Sequence, residues 1–353
     1  MRPMGEISNE VFDMNVTKAM HRIESLYDQT NGACYLGFSG GKDSTVVLAL
    51  IKLCEELGTI PKNAIPALFA NTKIELDVTY KFVRWCKDNW YGNIVILEPN
   101  KPFAQVIKEF GKPCKSKIRS KLLKAYHFGS MQHPEYLIDK KYMRSAISDK
   151  DLHLLHPDFK IMTSPQCCNE MKKKPFKKYA KEHAIRGYFT GERLAEGGAR
   201  SAQIKKRVAN GKPICTTLSG DYIVKQPIVD WSDEMIAMFI ERYNVPLSEA
   251  YTRYGMTRTG CAGCPYSKDI VKELEVMKEF EPNRYKACMF WLKDVYIAQN
   301  VILPFDKDYE EKRESEWKER YHKMRYEMLK KLRPDCRLCK KYDKEIKDES
   351  KSN

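Results

Sequence analysis

Apolar positions recur along the chain with two different periods. In VFDMNVTKAMHRIESLY, Val11, Met14, Met20, Ile23 and Leu26 fall roughly on one helical stripe, so residues 1–30 are expected to hold an N-terminal helix. Residues 33–38 (ACYLGF) then form an apolar run of strand length. The turn-prone Ser39-Gly40-Gly41-Lys42-Asp43-Ser44 follows, and after it TVVLALIKLCEEL, helical in period and ending at Gly58. The alternation repeats: 65–72 is strand-like, 76–90 helix-like, 93–99 strand-like, 185–190 a fourth strand and 222–227 a fifth, with 232–243 an amphipathic helix capped by Ser232. Strands alternating with helices predict an α/β fold, a doubly wound, mostly parallel sheet that receives ligands at its strand carboxyl ends.

Other stretches break this rhythm. Residues 101–165 read as an insertion with helical fragments over 103–110 and 118–125. Residues 269–297 form a long helical pattern broken at Pro282, 306–332 alternates charges and aromatics at helical spacing, and the terminal KDESKSN is expected to fray. The organisation expected is therefore an N-terminal helix (1–30), an α/β domain (31–265) carrying the insertion, a helical region (266–335) and a flexible tail with cysteines (336–353). No internal repeat is visible.

Composition narrows the class. A chain of 353 residues has room for about two domains, and 42% hydrophobic with 31% charged residues excludes collagen-like, low-complexity or wholly disordered chains. No stretch approaches the ~20 apolar residues of a membrane-spanning helix, and MRPMGEISNEVFDMN carries acids where a signal peptide needs an apolar core, so a cytoplasmic protein without a membrane partner is expected. The net charge of +15 points to a phosphorylated ligand or a polyanion, and it is uneven: residues 101–212 hold 26 Lys and Arg against 10 Asp and Glu, a surplus of 16 that leaves −1 for the rest.

The turn after residues 33–38 is the first chemical candidate. Its two glycines let the backbone bend and approach an oxyanion, while helix-start amides and the helix dipole attract negative charge. Lys42 adds a mobile cation, and Ser39 and Ser44 add hydroxyl donors. An ordinary Gly-rich turn with a Ser or Asp cap is the plain alternative, but six positions in a strand-to-helix context favour a phosphate or pyrophosphate site.

The twelve cysteines contain a second candidate. Cys167 and Cys168 are adjacent, and Cys261-Ala262-Gly263-Cys264 is a CxxC; four thiolates from two separated segments can enclose one metal ion or one iron–sulfur cluster. Adjacent cysteines suit a tetrahedral zinc site poorly, yet spacing alone leaves structural zinc and unligated buried thiols open. Between the pairs, GERLAEGGAR offers Arg193, Glu196 and Arg200; a guanidinium fork suits an oxyanion, whereas a solvated charged loop is the blander reading.

The motifs together carry a resemblance. SGGKDS resembles the PP-loop of the adenine-nucleotide α-hydrolase superfamily, which includes N-type ATP pyrophosphatases and the phosphoadenylyl-sulfate (PAPS) reductase family; the spacing of a Walker A motif is absent. This implies a Rossmann-like sheet with ATP or a sulfonucleotide held by Ser39, Gly40, Gly41, Lys42, Asp43 and Ser44. QCCNEMKKKPF resembles the CC-x(3)-K-x-x-P stretch of cluster-bearing adenylyl-sulfate (APS) reductases, and TGCAGCPY their second ligand pair, which implies a [4Fe-4S] cluster on Cys167, Cys168, Cys261 and Cys264. GERLAEGGAR is similar to the family's R-x-x-E-S-x-x-R element, whose arginines meet phosphate or sulfate oxygens; Arg193, Glu196 and Arg200 match, and Gly197 replaces the serine. Asn71-Thr72-Lys73-Ile74-Glu75 stands where the family has a D-T-G-x-E-like element near the adenosine, with Asn and Lys in place of Asp and Gly. QPIVDWS through NVPL resembles the segments leading to the second pair. The resemblance spans about residues 33–290; 101–160 and everything after about 300 lie outside it.

Three functions follow as expectations. The E-C-G-L-H signature of the reductases' nucleophilic cysteine is missing, while the PP-loop is complete, as in members that bind ATP and release pyrophosphate. The combination resembles the sulfur-activating enzymes of DNA phosphorothioation and implies an ATP-dependent, sulfurtransferase-like enzyme: an acceptor is adenylated, sulfur enters, and the cluster holds or positions sulfur or anions. Lys42, Ser39 and the loop amides stabilise the pyrophosphate, Mg²⁺ balances its charge, Asp43 orients that ion, and Arg193 and Arg200 act on the oxyanions. The second reading is APS or PAPS reduction to sulfite, with Cys288, Cys336 or Cys339 as nucleophile and a thioredoxin-like donor; the context of Cys288 reads as an ordinary buried helix position, and basic residues beside Cys336 and Cys339 favour thiolate reactivity. The third is a nonenzymatic regulator that binds DNA through the basic region, for which no recognition-helix signature is present.

Overall fold

The structure, a computed structural model, describes residues 7–129, 131, 135–139 and 146–349. The chain forms two compact units: Met1–Asn100 with Met171–Cys261, and Lys101–Glu170 with Ala262–Asn353. The insertion and the C-terminal helices thus belong to one unit. No helix among the described residues is long and apolar enough to cross a membrane.

The first unit is built on a six-stranded sheet of β1 (Cys34–Gly37), β2 (Ala67–Ala70), β3 (Ile94–Leu97), β4 (Gly187–Phe189), β5 (Thr216–Ser219) and β6 (Tyr222–Lys225), in the order β3-β2-β1-β4-β6-β5. All neighbours are parallel except β5 and β6. Side chains alternate across the sheet: Cys34 and Leu36 enter a core with Val46, Val47 and Leu50 of the helix Lys42–Glu56, while Tyr35 packs on the opposite face with Leu68 and Ala180. Helices on both faces make the sheet doubly wound, as the alternating pattern requires.

Two details depart from the sequence expectation. The N-terminal helix is Asn9–Thr30, but Val11 and Met14 are 45% and 62% exposed; the buried stripe is Phe12, Val16, Ala19, Ile23 and Leu26. Phe12 starts a run at i, i+4, i+7, i+11 and i+14 that carries the bulkier ring inward, and Ala19 completes it where the helix lies close to its neighbours. The strand β5 went unpredicted: it is an edge strand with half-buried to exposed side chains, joined to β6 by a tight turn in which Gly220 takes φ +62°. Its Thr-Thr-Leu-Ser lacks a buried face to write into the pattern.

The second unit is helical, with helices including Phe103–Phe110, Lys117–Phe128, Ile270–Phe280, Pro282–Ala298, Lys307–Glu316 and His322–Leu332. Pro282 separates two helices as predicted, standing in the first turn where its missing N–H costs nothing. The tail forms a helix, Arg337–Glu349, with Cys339 buried; residues 350–353 lie outside the described residues.

His153 is buried within this unit. Its Nε2 stands 2.7 Å from the Ala298 carbonyl oxygen, Trp317 and Tyr321 meet its ring edge-on, and Nδ1 finds no partner among the described residues. Burial, only partly offset by the Ala298 carbonyl, pushes the imidazole down to about 4. The unfolded chain takes up this proton near pH ~6.5 and the folded chain only near 4, so stability is complete above that range and falls by roughly 3 kcal/mol as the pH drops through it. Urea unfolding of wild type and His153→Phe at neutral pH and near pH ~4 should show the wild type losing this extra increment and the variant not; equal losses would refute it.

Candidate phosphate-binding site

A ligand site in such a sheet belongs where the strand order reverses, outside the carboxyl ends of β1 and β4. The loops leaving these two strands carry SGGKDS and GERLAEGGAR. They pack closely: a Cβ on Gly191 would lie 2.9 Å from the Asp43 carbonyl carbon and the Ser44 nitrogen.

The first loop is organised by its own hydroxyls. Ser44 Oγ accepts from the Ser39 amide at 3.2 Å and donates to the Gly41 carbonyl at 2.9 Å, while Ser39 Oγ accepts from the Gly41 amide at 3.3 Å. Gly40 takes φ +69°, which favours glycine, and a Cβ there would stand 2.9 Å from Val83 Cγ2. Gly41 is the N-cap of Lys42–Glu56 without a side-chain cap, and a Cβ on it would meet Thr259 Oγ1 at 2.9 Å. The amides of Asp43 and Ser44 donate to no acceptor among the described residues, as befits the first turn of a helix. Lys42, with a side chain 30% exposed, has a loose ion pair to Asp233 at 3.9 Å.

Arg193 is placed differently from the expectation. Its residue is 2% exposed, and its guanidinium donates through Nε to Asp43 Oδ1 (2.8 Å), through NH2 to Asp233 Oδ1 (2.7 Å) and through NH1 to the Trp231 carbonyl (3.1 Å). The backbone amide of Arg193 is held by Glu196 Oε1 at 2.9 Å. Three of its five N–H groups are thereby committed to the protein, and Arg193 acts as a buttress between Asp43 and Asp233. Burial works against its charge, and the two aspartates more than restore it. Burial likewise raises the Asp43 carboxyl, opposed by Arg193 and Lys42, whereas the hydrogen bond from Arg193 holds Asp233 below the usual range. The side chain of Arg200, in the helix Gly198–Ala209, lies outside the described residues.

The loop after β2 brings in Asn71 and Thr72, both buried. Asn71 donates to Glu98 Oε1 at 2.9 Å and accepts from the Lys73 amide; Thr72 bonds buried Glu75 through its amide and its hydroxyl (2.6 Å). Lys73 adopts φ +62°, the conformation the glycine of the family element would take without strain. Glu75 bridges to Cys261 through the backbone, so this loop touches the first cysteine of the CxxC directly.

Two groups carry little or no signal in the sequence. Tyr251 Oη accepts from the Lys42 amide at 3.0 Å and lies 3.3 Å from Thr259 Oγ1; Asp233 anchors Arg193. Only the Ser232 cap hinted at Asp233, and nothing near position 251 signals contact with position 42.

Of the cysteine candidates, Cys167, Cys168 and Cys264 lie in the second unit, and the Tyr266 phenol, raised first by burial, is raised further by all three. None of the twelve cysteines forms a disulfide. Among the described residues no group of three or more His, Cys, Asp or Glu side chains is arranged to hold a metal ion. Cys288 is buried under Ala262 and Gly263, and burial pushes its thiol up to about 12, which makes it a poor nucleophile. Cys336 is half-buried, and its sulfur accepts the Cys339 amide at 3.3 Å. Removing the buttress in Arg193→Met should cost about 3 kcal/mol, because Asp43 and Asp233 lose a buried partner; urea unfolding measures it, and a loss within the error of wild type would contradict the role.

The phosphoadenosine phosphosulfate reductase domain family matches residues 33–128 and 124–267. No curated protein matches the chain. Similar solved structures include a PAPS reductase from Candida auris in a phosphate complex (15% identity, TM-score 0.41, 73% of this chain and 97% of that one) and an FMN adenylyltransferase from Candida glabrata with FAD and inorganic pyrophosphate (15%, 0.39, 74% and 67%). A third is a U34-tRNA thiolase from Methanococcus maripaludis with its [4Fe-4S] cluster (14%, 0.35, 82% and 81%). With TM-scores below 0.5 these add nothing to the assignment, which rests on a match covering about two thirds of the chain over the very loops that form the site. This chain belongs to the phosphoadenosine phosphosulfate reductase domain family.

Proposed function

We propose that the chain is an enzyme of sulfur metabolism that binds ATP by its phosphates at Ser39–Ser44, adenylates an acceptor with release of pyrophosphate, and passes the activated acceptor on to sulfur transfer. The observation that carries this reading is the intact loop at the strand-order reversal: helix-start amides of Asp43 and Ser44 without protein acceptors, beside a loosely paired Lys42. Charge developing on the departing pyrophosphate is stabilised by the Lys42 ammonium and these amides, which are held in place before the reaction. Ser39 and Ser44 set the loop's curvature, and Asn71 and Thr72 line the neighbouring strand end, where the adenosine is proposed to lie.

Asp43 fits a magnesium ligand, since Oδ1 is held by Arg193 while Oδ2 meets no donor among the described residues. Mg²⁺ there would neutralise phosphate charge. Cys167, Cys168, Cys261 and Cys264 are the proposed [4Fe-4S] ligands: none is in a disulfide, and Cys167, Cys168 and Cys264 act together on the Tyr266 phenol. The cluster, when bound, would supply an iron–sulfur centre that holds or positions sulfur or anions. Arg193 acts through Asp43 and Asp233 as a positioning residue.

The test is pyrophosphate release from ATP with candidate acceptors, set beside sulfite release from APS or PAPS with thioredoxin. Pyrophosphate is the expected product; sulfite would overturn the transfer reading in favour of reduction. Lys42→Ala should weaken ATP binding by about 10-fold or more, the value of one charge-assisted phosphate contact, and unchanged binding would remove the loop assignment. Anaerobic purification should give about four iron and four sulfide per chain; a colourless protein with one zinc would exclude the cluster.

A further inference from the structure

We propose a second anion site in the first unit, in the cleft between the helix Asn9–Thr30 and the end of β6, which takes the phosphate group of a small molecule. The cleft is shallow and open, with a volume of about 620 Å³, a size suited to a small ligand, and its residues are separate from those of the SGGKDS loop.

The argument starts from Lys225. In β6, Ile223 packs into the core shared with the N-terminal helix, and two residues on, the same side of the strand carries Lys225. An apolar residue would continue that pattern. Lys225 is 8% exposed and lines the cleft, and among the described residues its ammonium meets neither a carboxylate nor another acceptor. Because its side chain lines the cleft and no ion pair to a carboxylate is made among the described residues, an arriving anion gains a counter-charge at Lys225 without breaking an existing pair.

The neighbouring charges set the sign of the ligand. Asp230 is already shared by Arg22, through NH1 and NH2 at 2.7 and 2.9 Å, and by Lys18 at 2.8 Å. Burial alone would raise the Asp230 carboxyl, yet these two cations hold it at about 2, so it stays a single negative charge. Lys18, Arg22 and Lys225 therefore bring three positive charges against one negative. His21, also in the wall, is paired with Glu24 through Nδ1 at 2.9 Å. With Glu24 counted beside Asp230 the balance of these groups is still positive, which suits the anionic phosphate of a monoester. Lys225 meets it from the strand, the half-exposed Lys18 from the helix, and the Ser25 hydroxyl lies in the same wall. Arg22, fixed to Asp230 and the Pro227 carbonyl, contributes field and not a ligand contact.

Lysine acetylation of the wild-type protein, followed by mass spectrometry, tests the site without a variant. Inorganic phosphate, and more strongly AMP, should slow acetylation of Lys225 by ~5-fold or more, the shielding expected of an ion-paired ammonium. Equal rates with and without both probes would overturn the proposal. Calorimetry in a Lys42→Ala background, where the loop's cation is gone, should still detect AMP. Adding Lys225→Met should weaken that binding ~10-fold, and adding Lys225→Arg should retain it. AMP binding that is indifferent to residue 225, or protection by duplex DNA but by neither small probe, would count against a small-molecule phosphate site. Inorganic phosphate equalling AMP would identify the free ion as the ligand and leave the site standing.

Discussion

The candidate site depends on one buried cation. Arg193 leaves the loop after β4 and fastens Asp43, at the start of the helix after β1, to Asp233, at the start of the helix after β6. Three chain segments far apart in sequence are thereby locked to one guanidinium. Taking that charge out of water is costly, and it is tolerated because its hydrogen-bond donors are met by two carboxylates and a carbonyl in good geometry. The same arrangement keeps Asp43 from turning its charge freely toward an incoming phosphate, while Lys42, only loosely paired, keeps its own charge available.

Around this buttress the loop is shaped by close approach. Gly40 and Gly191 bring backbone against side chain and backbone, and Gly41 leaves space where Thr259 and Tyr251 crowd in. Tyr251 places a neutral hydroxyl on the Lys42 amide, a donor that phosphate oxygens could otherwise claim. The segment bearing Tyr251 and Thr259 runs on to Cys261, whose backbone bridges to Glu75. Within one unit, then, the SGGKDS loop, the loop after β2 and the first CxxC cysteine are joined by short-range contacts.

Charge has a comparable division. The surplus across residues 101–212 is a property of the linear chain, and the fold distributes it, with 101–170 in the second unit and 171–212 in the first. Particular placements matter more: Arg22 is fixed to Asp230, Lys18 shares that carboxylate from an exposed position, and Lys225 makes no ion pair to a carboxylate among the described residues.

Much of the fold was legible because periodicity is local. Five strands, the helices between them and the break at Pro282 follow from residues near in sequence, and the Gly-Gly loop announces itself because backbone bending and helix-start amides are properties of six consecutive positions. The face of the first helix was misread because two stripes of similar apolarity compete, and only packing selects Phe12 and Val16 over Val11 and Met14. β5 was hidden because an edge strand needs no buried face. Arg193 could be recognised as a site residue from its motif, but whether its guanidinium faces a ligand or the protein depends on partners 150 and 40 residues away. Tyr251, 209 residues from the amide it caps, had no local signal at all. Sequence determined the elements and the chemistry on offer, because those depend on neighbours along the chain; tertiary structure decided which charges are consumed in holding the fold and which are left to meet a ligand, because that depends on neighbours in space.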